Sequence, residues 1–344
     1  MDNRTNIEKL GEFGLIEHLT KSLPTLSEYT VKGVGDDAAV LKNKMQHTVV
    51  STDILIEGIH FDLMYHPLKH LGYKTVVVNL SDIYAMNAIP RQITVSIAIS
   101  NRFSVEALDE IYKGIIRACE FYNVDLVGGD TTTSMSGLVI SITAIGQADP
   151  DQLVYRNGAR PGDLIVTTGD LGGAYFGLQL LEREKQIFMK NPDIQPDLED
   201  QDYLVGRLLK PEARKDIINQ LRVKNIKPTS MIDISDGLAS ELFHICDQSN
   251  TGAFIEEDLI PIAQETTEMG FQFKIDPTTA ALSGGEDYEL LFTIDPSDRL
   301  TLFQMPDATI IGEITSPEEG LNLHSKGGKI HPLKAQGWQH FRKK

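Results

Sequence analysis

The sequence predicts two α+β halves that each present acidic residues along one edge. Segments in which Val, Ile and Leu alternate with polar residues recur along the chain, and stretches of helical period separate them. A length of 344 residues suits two domains of ordinary size. An aspartate motif is also followed twice by a Gly-Gly-acid motif, from Asp82 to Asp130 and again from Asp236 to Glu286, with a strand and an Ile-Gly pair behind each. The boundary is placed near residue 149, giving domains 1–149 and 150–344.

The elements follow in order. EFGLIEHLTKS (12–22) reads as a short amphipathic helix, DAAVL and HTVVSTDILIEG as strands, and 67–87 as a long helix entered at Pro67, where the missing N–H costs little. Strand 91–100 leads to a helix over 104–123 with Ser104 as its N-cap and Leu108, Ile111, Ile115 and Ala118 as its apolar stripe. VDLVGG and GLVISITAIGQ are strands that close this half. In the second half, Pro-Gly and Gly-Asp mark turns around the strand in RNGARPGDLIVTTGD, and LGGAYFGLQLL starts a helix. Residues 183–201 are polar without clear period and read as an exposed excursion. Helices at about 202–222, strand MIDIS, helix 236–249 and strand YELLFTI complete the core.

Bulk properties exclude several classes. With 32 basic and 49 acidic residues the net charge is -17, so nucleic acid is a poor partner. A polyphosphate substrate would then have to be held through cations. The two cysteines, Cys119 and Cys246, form no CxxC pair and read as buried thiols. No stretch reaches about 18 consecutive apolar residues and MDNRTNIEKL holds no apolar leader, so a cytoplasmic protein with no membrane partner is expected.

The chemistry concentrates in motifs that set acids beside Gly, Ser and Thr at strand ends: GVGDDAAVL (Asp36, Asp37), STDILIEGIHF (Ser51, Thr52, Asp53, His60), NLSDIYAM (Asp82), VGGDTTT (Gly129, Asp130), IDISDGLAS (Asp233, Ser235, Asp236) and SGGEDYEL (Glu286, Asp287). Mg2+ takes oxygen ligands and reaches a protein through one or two carboxylates plus substrate phosphates, so these oxygens suit it. Solvated turns would read the same for GDD, for STD and for GGD, and His60 reads equally as a strand histidine. Asp82, late in a helix, opposes the dipole and calls for a positive neighbour. Asp236 suits a helix cap, whereas Asp233 inside an apolar strand needs a partner if buried. There is no GxxxxGK[ST], kinase HRD or DFG set, GxGxxG or HExxH. Charge neutralisation at phosphates therefore falls to Mg2+ and to Arg156.

Taken in order, GVGDD, STDILIEGIHF, GYKTVVVNLSD, GGDTTT, RNGARPGD, IDISDGL, SGGEDYEL and a terminal GWQHF closely resemble the thiamine-monophosphate kinase family, over about residues 10–341. The resemblance implies the two-domain α+β fold shared with aminoimidazole ribonucleotide synthetase and selenophosphate synthetase, with mixed and antiparallel sheets and helices packed on one face. It implies a homodimer that phosphorylates thiamine monophosphate from ATP with several Mg2+ ions. It implies metal ligation by Asp36, Ser51, Thr52, Asp53, Asp82, Asp130, Asp233 and Asp236, ATP contacts at Tyr112, Gly129, Asp130, Arg156 and Ser235, and acceptor contacts at His60, Glu286 and Trp338. No general base is implied. A phosphate monoester with a second pKa near ~6 is already mostly dianionic at neutral pH. The competing readings are a sister synthetase that phosphorylates a carbonyl oxygen, and a non-catalytic nucleotide- or metal-binding relative.

Overall fold

The first half builds a four-stranded sheet whose alternation leaves one face to helices. The computed structural model describes residues 18–32, 40–41 and 47–333. Most of helix 12–22, Asp36, Asp37 and Trp338 lie outside those residues. The described residues up to Tyr84, with Ala88–Asp151, form one unit, and Ala85–Asn87 with Gln152 onward form the other.

In the first unit, β1 (Thr30–Lys32) and β2 (Val40–Leu41) pair apart from the main sheet. β3 (His47–Ile56) is followed by helix α1 (Leu68–Ala85), β4 (Ile89–Ile99), helix α2 (Val105–Tyr122), β5 (Asp125–Thr133) and β6 (Val139–Ala148). The sheet order is β3-β6-β4-β5, with β4 and β5 parallel and the other pairs antiparallel. On β6, Ile140, Ile142 and Ala144 are buried and their alternates half-buried, the period-two signature of a sheet with one covered face. Ser104 caps α2 as expected, accepting from Ala107 N at 3.3 Å. α1 and α2 touch through glycines. A Cβ on Gly72 would lie 1.9 Å from Ile111 O, and one on Gly114 2.0 Å from Lys69 O, so backbones meet where only glycine fits.

The second unit holds β7 (Leu164–Thr168), α3 (Gly173–Lys190), α4 (Asp202–Leu209), α5 (Lys215–Val223), β8 (Ser230–Ile234), α6 (Leu238–Ser249), β9 (Gly252–Glu256), α7 (Gln264–Phe273), α8 (Pro277–Ser283), β10 (Glu289–Ile294), α9 (Arg299–Leu302), β11 (Ala308–Thr315), β12 (Leu321–His324) and β13 (Ile330–Pro332). Its seven-stranded sheet runs β13-β12-β9-β11-β7-β10-β8, antiparallel except for β12 with β9. Ile165, Ile232, Ile234, Leu291 and Ile314 from the strands pack with Leu238, Leu242 and Ile245 of α6. Phe176, Leu180, Leu204 and Met269 form a second cluster between α3, α4 and α7. Both sheets agree with the expected mixed α+β architecture, and both cysteines are buried thiols.

Two expectations are corrected. The excursion over 183–201 is half helix, because α3 continues to Lys190. Glu184 lies on its buried face, accepting from Asp197 N at 2.9 Å, and this buried acid conceals the apolar period. The helices expected at about 202–222 are α4 and α5, separated by the segment around Pro211. Asp236 is not the cap: α6 starts at Leu238 after Gly237 at φ 117°, with no side-chain cap.

Candidate active site

In the first unit the sheet alternation sorts the STD motif. Ser51 and Asp53 point to the helix-covered face, where α1 supplies Asp82 and Asn79. Ser51 Oγ donates to Asp82 Oδ2 at 2.5 Å, and Asp53 N donates to Asn79 Oδ1 at 2.9 Å. Asn79 is held in turn by its Nδ2 donating to Thr75 O at 2.9 Å, and Ser141 Oγ donates to Asp53 O at 3.0 Å. Asp53 thus sits on backbone tied from both sides. Thr52 takes the other face, its hydroxyl donating to Ile142 O at 3.0 Å.

Asp130 stands on β5, at the opposite edge of the sheet from β3, with β6 and β4 between them. Three strand spacings make about 14 Å, so one chain does not place Asp130 and Asp53 on one ion. Gly129 occupies the same cross-strand row as Asp53, through Ile142 and Val95, and a Cβ there would lie 1.9 Å from Val95 O. Tyr112, expected to stack on ATP, is 7% exposed, and burial pushes its hydroxyl up to about 12. His60 lies in the turn after β3, its Nδ1 accepting from Ile56 N at 3.0 Å. Beside that turn, Glu57, Asp62, Met64, Arg102 and Phe103 line a cavity of about 540 Å3.

In the second unit the IDISDG and SGGED segments are laced together. Glu286 N donates to Ser235 O at 2.7 Å and Tyr288 N to Ile234 O at 2.8 Å. Asp233 is buried in β8, Asp236 is half-buried, and Ser235 and Arg156 are exposed. Behind them Glu241 Oε1 accepts from Asp236 N at 2.8 Å and from Ser235 N at 3.3 Å. Burial pushes the Glu241 carboxyl up to about 8, against the Asp236 amide, and the charges of Asp236 and Asp233 add to the rise.

Two family models match this chain: AIR synthase related protein, N-terminal domain, over residues 35–148, and AIR synthase related protein, C-terminal domain, over 160–323. Thiamine-monophosphate kinases of Buchnera aphidicola subsp. Schizaphis graminum and Aquifex aeolicus are 39% and 34% identical to it, covering 96% and 97% of this chain and 98% and 99% of their own. The chain belongs to the thiamine-monophosphate kinase family. A solved thiamine-monophosphate kinase from Stenotrophomonas maltophilia K279a is 31% identical with TM-score 0.75, covering 91% of this chain and 94% of that one. A structure of AaThiL complexed with AMPPCP and TMP is 32% identical with TM-score 0.74, covering 99% and 100%. The hydrogenase maturation protein HypE, 19% identical with TM-score 0.72, shares the fold.

The residues of this family member fit Mg2+. The acids and hydroxyls gathered at β3–α1 and at β8–α6 are oxygen donors, the set a hard cation takes. Glu241 Oε2 is buried with no hydrogen-bond partner among the described residues, in an acid cluster that a nearby cation would relieve. Among the described residues, however, no group of three or more His, Cys, Asp and Glu is close enough to hold a metal by itself. Substrate phosphate oxygens would have to complete the shell.

Sequence reasoning missed Asn79, Glu241 and the role of Asp287. Asn79 is one polar position in an apolar helix and Glu241 one acid in an amphipathic helix, and no local signal marks either. Asp287 is fully enclosed, its Oδ2 accepting from Gly172 N at 3.0 Å. Burial outweighs the Arg207 cation and raises its carboxyl to about 7. The sign follows: between the ordinary carboxylate value and about 7, the folded chain keeps a proton that the unfolded chain has lost. This contribution to stability is present at low pH and lost as pH rises through about 7. Denaturant unfolding at pH 5 and pH 8 (roughly either side of that value) should therefore show Asp287→Asn gaining on the wild type at the higher pH. Parallel pH slopes for the two proteins would refute the assignment.

Proposed function

We propose that this chain transfers the γ-phosphoryl group of ATP directly to the phosphate of thiamine monophosphate. An acceptor phosphate oxygen bonds to the γ-phosphorus, the bond from γ-phosphorus to the bridging oxygen breaks, and ADP leaves. The observation that carries the reading is an all-oxygen acid set on tied-down strands, in a chain whose full-length relatives are named for this reaction. Two polyanions must be brought together, and the acceptor needs no base. Bound Mg2+ supplies charge screening for both phosphates.

Under this reading Asp36, Ser51, Thr52, Asp53, Asp82, Asp130, Asp233 and Asp236 hold the ions, and Tyr112, Gly129, Asp130, Arg156 and Ser235 meet ATP. The glycine edge of β5 lets backbone come close to phosphate, and exposed Arg156 adds a cation. His60, Glu286 and Trp338 meet the acceptor. A coupled assay tests the proposal: ADP should form only when thiamine monophosphate is added, and thiamine diphosphate should accumulate with it. ADP production without that acceptor would point to the sister-synthetase reading. With a chiral γ-phosphoryl donor, direct transfer inverts configuration, and net retention would point to a phospho-enzyme.

The protein is further proposed to act as a homodimer in the cytoplasm. On the uncovered face of the first sheet, β3 exposes Val50 at 62%, Ile54 at 52% and Ile56 at 36%, an apolar strip suited to a second copy of itself. No helix among the described residues is long and apolar enough to cross a membrane. Val50→Lys with Ile54→Lys should halve the mass seen by light scattering. A wild type that elutes as a monomer, or an unchanged dimer in the double variant, would remove this face from consideration.

A further inference from the structure

The loop that carries Glu286 is conformationally expensive. Gly285, Glu286 and Tyr288 have φ of 69°, 63° and 53°, and two of these are not glycine. Side chains with a Cβ rarely adopt this region, so the surroundings must impose it. One wall is the strand-end backbone of Ile234 and Ser235, described above. The other wall is Arg207, which α4 delivers from far along the chain.

Arg207 fixes this wall through contacts with three residues. Its Nη1 pairs with Glu289 Oε1 at 2.9 Å, just beyond the loop. Its Nη2 donates to Asp170 O at 2.8 Å and to Asp287 O at 3.4 Å, and lies 3.7 Å from Asp287 Oδ1. Tyr203, one turn earlier on α4, donates its hydroxyl to Asp170 Oδ1. The guanidinium is 17% exposed, while the carboxylates of Asp287 and Glu289 are 0% and 2% exposed. A planar fork spans these partners at once, which an ammonium on the same stem does not.

We infer that Arg207 is a positioning residue: it holds the 284–288 loop, with Gly285, Glu286 and Tyr288 left-handed, and so presents Glu286 to the acceptor. This rests on the proposed role of Glu286. Arg207 acts through this loop and is assigned no substrate contact of its own.

The test uses the full chain and Arg207→Lys, which keeps the charge and loses the fork. The KM for thiamine monophosphate should rise about tenfold or more, the KM for ATP should stay within about twofold, and kcat/KM should fall accordingly. In a double-variant cycle with Glu286→Gln, Arg207→Lys should add little further loss, because the contact it positions is already gone. Full multiplication of the two effects, or equal rises in both KM values, would overturn the inference in favour of a purely structural role. Hydrogen exchange gives a readout independent of activity. In Arg207→Lys without substrates, the Glu286 and Tyr288 amides should exchange faster while β3 and β6 are unchanged. Unchanged protection of those two amides would overturn the inference, whatever the acceptor proves to be. A wild type that does not phosphorylate thiamine monophosphate would instead sink the functional reading and leave the exchange result to decide Arg207.

Discussion

Asp53→Asn and Asp233→Asn are each expected to lower kcat about 10³-fold at saturating ATP and thiamine monophosphate, with the fold retained. Each change preserves shape and removes one charge. The backbone around Asp53 is held by Asn79 and Ser141 whatever its side chain carries. Asp233 lies in β8, paired with Leu290 of β10, so its strand does not depend on the carboxylate either. Without metal, Asp233→Asn should melt slightly higher than the wild type, because the charge of Asp233 bears on Glu241 in the same cluster. The combination is diagnostic: a catalytic group lost for structural reasons brings a lower melting temperature with it. Unchanged kcat at saturating Mg2+ in either variant would show that its carboxylate holds no ion needed for transfer.

Much of this arrangement was legible in the sequence because its causes are local. The alternation in HTVVSTDILIEG places β3, and the same period assigns Ser51 and Asp53 to one face and Thr52 to the other. Ser104 declares the start of α2 because a hydroxyl three residues before an amide is a local device. What stayed hidden depends on partners distant in the chain. Arg207 and Glu289 are 82 residues apart, and no spacing rule links a helix arginine to the first residue of a strand. Asp130 and Asp53 looked alike as strand-end acids, yet the strand order, which neither motif encodes, sets them on opposite edges. The cap assigned to Asp236 failed for a related reason. The rule supposes a free acid before a helix, whereas its amide is taken by Glu241 and Gly237 makes the turn. Eight motifs in family order did identify the chain, since their sequence carries more than any one motif does.

Glu289→Ala should be among the most destabilising single changes in the second unit, by about 3–5 kcal/mol. The Glu289 side chain is 2% exposed and receives Arg207 Nη1 at 2.9 Å, Arg214 Nη1 at 2.7 Å and Thr168 Oγ1 at 2.6 Å. Burial works against both guanidinium charges, and Glu289 is the largest influence restoring them. Removing it leaves two cations close together in low dielectric with one carboxylate fewer between them, the circumstance in which a broken buried pair costs most. Glu289→Gln keeps the shape and one acceptor oxygen, so it should fall between the wild type and Ala. For a domain of this size the loss corresponds to a melting point lower by roughly 10 °C. High salt should not close the gap, because a buried pair is screened far less than an exposed one. Denaturant unfolding of the three proteins at low and high salt measures all of this. An Ala variant within about 1 kcal/mol of the wild type would mean that dehydrating these charges costs as much as their attraction returns. In that case the network would specify the position of the 284–288 loop without stabilising the fold.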